Sequence, residues 1–402
     1  MPFQRLVDKK ILLCVTGSIA AYKACEVLRL LIKEGADVQV VMTHAAQHFV
    51  HPLTFETLSG HEVIRDLFPD HRVVKTRHVN VAEWADCILV CPATANSIGK
   101  MASGIADDFL STAVMASRST VLLAPAMDCQ MVRHPIYEEN CAKLKALGYR
   151  FIETEEGDLA SGKSGPGRLA AFDRILDSVH LVLLGTETLK GKRVLITAGP
   201  TRESLDPVRY ISNRSSGKMG FALAEEARLR GADVTLVSGP VALRPFEGIR
   251  LIRIETAEDM AQAVRQEWRN HHVLVMAAAV ADYRPSVVSK QKMKRGTAKQ
   301  TLDLEKTIDV LVEAAKTKGD RVVVGFALET ENGESHALTK LETKGLDLIC
   351  LNTLQDPDSG FETDTNRITL YDRHKGKTAL PLVFKREAAG YIWDRIASLM
   401  KR

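Results

Sequence analysis

The stretch ISNRSSGKMG (211–220) combines hydroxyl groups, an amide and glycines directly before a predicted helix. Ser215, Ser216 and Gly217 would present hydroxyls and backbone N–H groups at the helix N-terminus, where phosphates are commonly bound. The stretch is not a P-loop, because a serine replaces the first glycine of that motif and a methionine follows the Gly-Lys pair. The residues therefore favour an anion site of another kind, and a serine-rich helix cap without a ligand is the alternative.

A second group of small and polar residues lies in the N-terminal half. VTGSIAAYKA (15–24) places a Gly-Ser turn between a predicted strand and a helix, an arrangement suited to an anion. Because the turn lacks G-x-G-x-x-G, a mononucleotide such as a flavin phosphate is favoured over a dinucleotide. An ordinary capped turn is the alternative. Two further predicted strand ends, in CPATANSIGK and APAMDCQ, add residues to the same site: Thr94, Asn96, Met127 and Asp128.

Two other features of this half could take part in chemistry. RHVNVAEWAD (77–86) places His78 at the start of a predicted helix, and imidazole is a suitable base near neutral pH. A surface or packed histidine is the alternative. EGDLASGKSGPGRLA (156–170) is a Gly/Ser-rich loop of the kind that folds over a bound ligand.

The elements that must position these residues occur twice along the chain. Residues 9–43 read as strand, small-residue turn, helix and strand, and residues 191–240 repeat this order with a longer loop. Alternating strands and helices predict two doubly wound α/β domains with ligands beyond the carboxyl ends of parallel strands. A Gly/Thr/Lys-rich stretch at 185–192 sets the predicted domains at 1–190 and 191–402. Further strands are predicted at CILVCPA (87–93), STVLLAPAM (119–127), HVLVMAAAV (272–280), RVVVGFAL (321–328) and DLICLN (347–352).

Composition excludes several classes of protein. The formal net charge of +4 over 402 residues is too small to indicate a nucleic-acid surface. Seven cysteines without a CxxC pair predict reduced thiols and a cytoplasmic location. The apolar runs are strand-length and no leader sequence is evident, so no membrane span is expected. An NAD(P)-linked dehydrogenase is disfavoured, because no G-x-G-x-x-G is present.

The N-terminal motifs together resemble one family. GSIAAYK, PATAN-x-IGK, GIADD, PAM, the histidine before VAEWAD and the Gly-rich flap look like those of flavin-dependent phosphopantothenoylcysteine decarboxylases over residues 8–180. The resemblance implies that FMN oxidises the thiol-bearing carbon, which lets CO2 leave, and then returns the hydride. It also implies that His78 is the active-site base. The FMN-binding residues that it implies are Gly17, Ser18, Thr43, Phe49, Thr94, Asn96 and Met127.

Two positions depart from that family's pattern. Asp128 replaces an Asn that holds the substrate carboxylate, so it would repel substrate unless it is protonated or paired with Arg133, Lys163 or Arg168. Ser161 replaces a Cys that donates a proton, and a hydroxyl is a weaker acid than a thiol with a pKa of about 8.5. We therefore predict Ser161 and Asp128 to be catalytic, and hypothesise that a protonated Asp128 is a compensating acid.

The C-terminal motifs resemble phosphopantothenate–cysteine ligases over residues 190–402. TAGPTRE, ISNRSSGKMG, AAAVADYRP, KQKMKRG and GFALETE carry the likeness, which implies activation of a carboxylate by CTP with Mg2+ and attack of cysteine on the acyl-cytidylate. By resemblance, Asn213 steadies that intermediate and Ser215, Ser216 and Gly217 bind phosphate. The implied CTP-binding residues are Met276, Ala277, Ala278, Asp282, Lys292, Asp309, Phe326, Lys340 and Lys344. The metal ligands are unknown.

The sequence adds further detail on three of these segments. Lys292 begins a Lys-x-Lys-Lys motif in which Arg295 replaces the third lysine, and an ordinary solvated charge run is the alternative. Lys340 and Lys344, four residues apart on a predicted helix, share one face. In TIDV (307–310) only Asp309 is kept from the family pattern.

The order of the two halves matches the bifunctional bacterial enzymes of coenzyme A synthesis, in which a ligase domain follows a decarboxylase domain. The resemblance implies conversion of 4′-phosphopantothenate, cysteine and CTP to 4′-phosphopantetheine. It also implies a homododecamer, with trimers of the N-terminal domain sharing FMN sites and dimers of the C-terminal domain. The alternative is an active ligase fused to a flavin-binding domain with weak or no decarboxylase activity, because of Ser161 and Asp128.

Overall fold

The structure of the chain is a computed structural model that divides into two compact units, Met1–Gly185 and Thr186–Arg402. The residues that the structure describes are 4–68, 76–294, 301–329, 331–353, 360 and 363–400. Among them, no helix is both long and apolar enough to cross a membrane. All seven cysteines are free thiols.

The first unit has one main sheet, a flap hairpin and helices on both sides of the sheet. Its strands are β1 (Lys10–Val15), β2 (Asp37–Met42), β3 (Cys87–Ala93), β4 (Thr120–Pro125), β5 (Arg150–Phe151), β6 (Glu155–Asp158) and β7 (Ser164–Arg168). Its α-helices are α1 (Lys23–Lys33), α2 (Pro52–Ser59), α3 (Arg77–Trp84), α4 (Ala95–Ser103), α5 (Phe109–Ala116), α6 (Cys129–Val132), α7 (Pro135–Ala146) and α8 (Phe172–Leu183), with short 3₁₀ helices at Ile19–Tyr22 and His44–His48.

The main sheet of the first unit has the order β2-β1-β3-β4-β5, and all its strands are parallel. The runs KILLCV and CILVCPA are apolar at nearly every position. They therefore suit central strands, which helices cover on both faces of the sheet. This is the flavodoxin-like strand order, which places a ligand at the carboxyl ends of the strands. The predicted doubly wound α/β class is confirmed for this unit.

The second unit contains a larger sheet and three small hairpins or strand pairs. Its strands are β8 (Arg193–Ala198), β9 (Arg202–Ser204), β10 (Tyr210–Ser212), β11 (Asp233–Ser238), β12 (Arg250–Arg253), β13 (Val273–Met276), β14 (Tyr283–Pro285), β15 (Leu304–Lys306), β16 (Val322–Glu329), β17 (Leu348–Thr353), β18 (Thr365–Asn366), β19 (Ile368–Asp372), β20 (Lys377–Ala379) and β21 (Val383–Phe384). Its α-helices are α9 (Lys218–Leu229), α10 (Ala257–Trp268), α11 (Val310–Lys316), α12 (Gly333–Thr343) and α13 (Lys385–Met400).

The larger sheet has the order β12-β11-β8-β13-β16-β17-β19-β20. Its strands are parallel from β12 to β17, as predicted, but β19 and β20 are antiparallel. The predicted doubly wound α/β class is thus confirmed for this unit, and its sheet is extended by two antiparallel edge strands that were not predicted. Antiparallel neighbours such as β17 and β19 can be joined without the helical crossover that parallel neighbours require.

Helix α9 packs unusually close to strand β8. A Cβ atom on Gly220 would lie 2.5 Å from the Cβ atom of Ala198 and 3.0 Å from the carbonyl oxygen of Thr197. Only glycine therefore lets the helix that follows the small-residue loop lie against this strand. The packing fixes the loop 211–217 at the carboxyl end of β8.

The other face of α9 contacts α13 through the buried Trp393. Its indole Nε1 donates to the carbonyl oxygen of Leu223 (2.9 Å), and the side chain is fully buried. We expect Trp393→Ala to lower the free energy of unfolding by about 3–5 kcal/mol, since it leaves a large cavity. Chemical denaturation followed by circular dichroism checks this. Tyr391→Ala is the control, because Tyr391 lies on the same helix and is 48% exposed; similar losses in both variants would contradict the packing argument.

Candidate active sites

The first unit has a cavity of about 900 Å³ at the carboxyl ends of its parallel strands. Its size is that of a pocket for a cofactor or a small molecule. Six of the seven predicted FMN-binding residues line it: Gly17, Ser18, Thr43, Thr94, Asn96 and Met127. The predicted catalytic residues Asp128 and Ser161 line it too.

Four of the lining residues also cap the short helices that follow the strands. The side chains of Ser18, Thr43, Thr94 and Asp128 accept backbone N–H bonds from Ala20, Ala46, Ser97 and Gln130, respectively. Helix starts with polar caps therefore converge on one cavity. The capped-turn alternative and the ligand-site prediction are compatible, because one residue can cap a helix and line a cavity.

The predicted residues Phe49 and His78 are not among the residues that line this cavity. Phe49 is 46% exposed, and His78 lies half-buried in the first turn of α3. The predicted helix at residue 77 is present. The roles of His78 and Phe49 stay predictions.

The flap hairpin β6–β7 lies over one side of the cavity and is attached to it through backbone contacts. Met127 N donates to the carbonyl oxygen of Gly167 (3.0 Å). A Cβ atom on Gly167 would lie 2.2 Å from the carbonyl oxygen of Met127, and this glycine has a φ of +133°. Glycine is therefore required where the flap approaches the end of β4.

Asp128 links the tip of the flap to the N-terminus of α6. Its Oδ2 accepts from Ser161 Oγ (2.7 Å), and its Oδ1 accepts from Gln130 N (2.9 Å) and Lys163 Nζ (3.4 Å). The hydrogen bonds from Gln130 and Ser161, together with the ammonium of Lys163, outweigh the opposing effect of burial and lower the pKa of Asp128 to about 2. These contacts favour the ionised form of Asp128.

The structure therefore gives no support to a protonated Asp128 in the chain by itself, and its role as a compensating acid with substrate bound stays a prediction. The paired alternative is the one that the structure shows, with Lys163 as the partner among the three cations considered. The physical reason is that hydrogen-bond donors surround the carboxylate, and these favour its charged form.

The second unit has a cavity of about 810 Å³ at the carboxyl ends of β13 and β16 and the N-terminus of α9. All four predicted residues of the small-residue loop line it: Asn213, Ser215, Ser216 and Gly217. So do eight of the nine predicted CTP-binding residues: Met276, Ala277, Ala278, Asp282, Asp309, Phe326, Lys340 and Lys344. Lys292 does not line the cavity, and Arg295 of the same motif lies outside the described residues.

Asn213 fixes the small-residue loop to the chain that follows β13. Its Nδ2 donates to the carbonyl oxygens of Ala279 (3.0 Å) and Val280 (3.2 Å). Gly217 has a φ of +78°, and its N–H bonds to Ser215 Oγ (3.3 Å). The loop thus reaches the start of α9 in a left-handed conformation that favours glycine.

The two lysines of α12 reach the cavity as members of ion pairs. Lys340 Nζ lies 2.6 Å from Glu329 Oε1, and Lys344 Nζ lies 2.7 Å from Asp309 Oδ2. Asp309 also caps α11 by accepting from Val312 N (3.1 Å). The lysines are thereby oriented, and an entering anion meets ammonium groups whose positions are already set.

A buried lysine in the cavity wall was not found from the sequence. Lys385 is 5% exposed and lines the cavity, and its Nζ donates to the carbonyl oxygens of Gly360 (2.8 Å) and Thr363 (2.5 Å). Burial lowers the pKa of Lys385 to about 8, and the nearby charge of Lys218 acts in the same direction. The signal available was a lysine at a helix start in KREAAG, which is ordinary for a surface residue.

Each of the two units matches its own family model. A family model described as "Flavoprotein" matches residues 3–183, and one described as "DNA/pantothenate metabolism flavoprotein C-terminal domain" matches residues 189–400. The chain is 44% identical over 400 residues to the "Coenzyme A biosynthesis bifunctional protein CoaBC" of Bacillus subtilis (strain 168), covering 99% of this chain and 98% of that protein. The chain belongs to this bifunctional family.

The chain is also similar to other proteins with related names. The protein of the same name from Escherichia coli (strain K12) is 40% identical over 397 residues, covering 98% of both chains. A "Cysteine/Cysteine sulfinic acid decarboxylase" from an unknown prokaryotic organism is 43% identical over 357 residues, covering 87% of this chain and 99% of that protein. The crystal structure of the C-terminal domain of a CoaBC protein is 41% identical, with a TM-score of 0.47, and covers 54% of this chain and 99% of that chain.

The two cavities of this family member contain few groups suited to a metal. No cluster of three or more His, Cys, Asp or Glu side chains that could hold a metal ion occurs among the described residues. Asp282 and Asp309 are the predicted carboxylates of the ligase cavity, and Asp309 is already paired with Lys344.

Proposed function

We propose that the chain catalyses two steps of coenzyme A synthesis. The second unit joins 4′-phosphopantothenate to cysteine at the expense of CTP, and the first unit decarboxylates the product to 4′-phosphopantetheine. The observation that carries the proposal is that each unit matches its own family model and has its own cavity at the carboxyl ends of parallel strands.

The ligase cavity provides groups for each part of the reaction. The loop at the start of α9 supplies hydroxyls and N–H groups for phosphate oxygens, and the dipole of α9 favours negative charge there. Lys340 and Lys344 line the same cavity as members of ion pairs and supply ammonium donors for phosphate oxygens when the nucleotide binds, and Phe326 offers a flat apolar face to a base. Asn213 holds the loop where the carboxylate of phosphopantothenate meets the α-phosphate. Lys292 does not line the cavity, and its proposed role, carried over from the family resemblance, is to neutralise the leaving pyrophosphate when its ammonium reaches the bound triphosphate.

The first cavity fits an FMN-sized ligand. Its volume of about 900 Å³ and the hydroxyls of Ser18, Thr43 and Thr94 at three converging helix starts suit a phosphate-bearing ring system. When bound, FMN supplies the two-electron oxidation that makes CO2 loss possible and returns the electrons afterwards. The chain itself binds the substrate, holds the flap over it and moves protons.

The proton transfers are assigned to the flap. Ser161 both lines the cavity and donates to the ionised Asp128 at 2.7 Å, so its hydroxyl can pass a proton between a ligand and that carboxylate. Lys163 balances the charge of Asp128, which reduces its repulsion of the substrate carboxylate. The alternative, a flavin-binding unit with weak decarboxylation, is supported by the same contact, because a hydroxyl held by a carboxylate is a poor acid.

The assembly that we propose is a homododecamer with flavin sites shared within trimers. Its support is that Phe49 and His78, both implied by the family resemblance, do not line the cavity of their own chain. In a trimer with shared flavin sites, Phe49 and His78 are expected to reach the cavity of a neighbouring copy of the chain. Sedimentation of the flavin-loaded protein checks the state, and a monomer would contradict it.

Coupled turnover tests the proposed function. The full chain is supplied with 4′-phosphopantothenate, cysteine, CTP, Mg2+ and FMN, and pyrophosphate and CO2 are measured separately. We expect both products in equal amounts, with pyrophosphate release abolished when CTP is left out. Release of pyrophosphate without CO2 would support the alternative, provided that added phosphopantothenoylcysteine yields no CO2 either. The absence of both products would refute both readings.

A further inference from the structure

A buried carboxylate lies in the turn of the β9–β10 hairpin, outside the ligase cavity. The Asp206 side chain is 0% exposed, and it is not among the residues that line the cavity. A charge buried in this way is costly unless hydrogen bonds and an opposite charge compensate for it. Its partners therefore show what the carboxylate holds in place.

Both oxygens of Asp206 are occupied. Its Oδ1 accepts from the backbone N–H groups of Val208 (2.8 Å) and Arg209 (2.9 Å), which closes the turn. Its Oδ2 accepts from Arg209 Nε (3.0 Å), Arg209 Nη2 (2.7 Å) and the backbone N–H of Met293 (3.1 Å). Burial raises the pKa of Asp206, but the bonds from Arg209 and the amides outweigh it and hold the pKa well below its usual value.

The contact with Met293 ties the turn to the chain around Lys292. Arg209 Nη2 donates to the carbonyl oxygen of Met293 (2.9 Å), so both peptide groups of that residue are held. On the other side of Lys292, Ser289 N donates to the carbonyl oxygen of Leu205 (3.0 Å). The chain is thus attached to the β9–β10 turn both before and after Lys292.

We infer that Asp206 is a positioning residue for the ligase reaction, because its buried carboxylate fixes the backbone beside Lys292 and so limits where that ammonium can reach. The inference rests on the proposed function, in which Lys292 neutralises charge on pyrophosphate. A lysine side chain is a flexible four-carbon stem, so its ammonium is placed only as well as its backbone. Misplacement of a catalytic group by about 1 Å can cost about 10²-fold in rate.

The substitution Asp206→Asn keeps the shape of the side chain but removes one acceptor. The remaining oxygen can serve the N–H groups of the turn or the Arg209 guanidinium, but not all the present donors. The new NH2 group then faces other donors, among them the N–H of Met293. The variant therefore releases the chain beside Lys292.

A second buried carboxylate of the same unit provides a matched control. Asp372 is 2% exposed and accepts from His374 N (2.8 Å), Gly376 N (3.2 Å) and the Arg395 guanidinium. It closes the β19–β20 turn and does not line the ligase cavity. Asp372→Asn therefore weakens the same kind of carboxylate-closed turn, but at a place that does not contact the chain around Lys292.

The experiment measures pyrophosphate release by the full-length variants, each scaled to its folded fraction from circular dichroism. We expect D206N to lower kcat by about 10-fold or more, and D372N to change it less than about 2-fold, although both lower the melting temperature. In the K292M background, D206N should have no further effect, because Asp206 acts through Lys292. Equal losses in D206N and D372N, or an additional loss in the K292M background, would overturn the inference.

Three further results keep the test decisive. If D206N does not fold, Ser289→Pro removes the N–H bond to Leu205 while the Asp206 turn stays intact; a fall in kcat supports the inference and a wild-type rate overturns it. If K292M itself releases pyrophosphate normally, the role proposed for Lys292 fails. If K292M is inactive but D206N is normal, only the role of Asp206 fails.

Discussion

Replacing Asn213 by alanine is expected to lower the kcat of pyrophosphate release by about 10²-fold or more, while CO2 release from phosphopantothenoylcysteine stays unchanged. Asn213 lines the ligase cavity, and its amide bonds to Ala279 and Val280 hold the small-residue loop against the chain after β13. Alanine removes both bonds together with the carboxamide that faces the cavity. The carboxylate and the α-phosphate then lose their common alignment.

Separate assays of the two products in one preparation check this expectation. Asn270→Ala is the matched control, because Asn270 is an exposed asparagine of the turn before β13 in the same unit. We expect its rates of both reactions to equal those of the wild type. A wild-type rate of pyrophosphate release in N213A would show that the loop needs no such attachment and would remove Asn213 from the proposed mechanism.

Replacing Ser161 by alanine is expected to lower the rate of CO2 release by about 10²-fold, with pyrophosphate release unchanged. The hydroxyl of Ser161 lines the first cavity and donates to Asp128 Oδ2 at 2.7 Å, whereas alanine has no proton to transfer. The ion pair between Asp128 and Lys163 remains in this variant, so the flap keeps one of its side-chain contacts. Ser161→Cys should retain more activity than S161A, because a thiol with a pKa of about 8.5 is a protic group as well.

The control for this prediction lies in the same hairpin. Ser164 is an exposed serine of β7 that does not line the cavity, so Ser164→Ala should leave both rates unchanged. Flavin content is measured in every variant, which separates loss of proton transfer from loss of the cofactor. If S161A turns over and reoxidises its flavin at the wild-type rate, the proton path through Ser161 and Asp128 is ruled out.

The strand ends could be predicted from the sequence because they depend on neighbours along the chain. The apolar run at 87–93 is a strand with the same limits in the structure, and the predicted helix at 77 begins there. Since carboxyl ends of parallel strands meet at one edge of a sheet, residues as distant as Ser18 and Met127 could be assigned to one cavity.

The charge states in the two cavities could not be predicted in this way. The ionised form of Asp128 is favoured by the N–H of Gln130 in its own helix cap, and also by Ser161 and Lys163, which lie more than thirty residues away and approach it through the flap. Lys385 is buried against carbonyl oxygens, although nothing in its local sequence distinguishes it from a surface lysine. Hydrogen-bond partners and desolvation set these states, and both arise only when distant segments pack.

The sequence by itself thus determined two α/β units, the order of their strands and helices, and the turns that meet at each sheet edge. Periodicity, helix caps and glycines are local properties, and they carry that information along the chain. The tertiary structure alone decided that Phe49, His78 and Lys292 do not line the cavities of their own chain, and that Asp206 holds the chain beside Lys292. These features depend on contacts between residues far apart in sequence, whose energies no local pattern records.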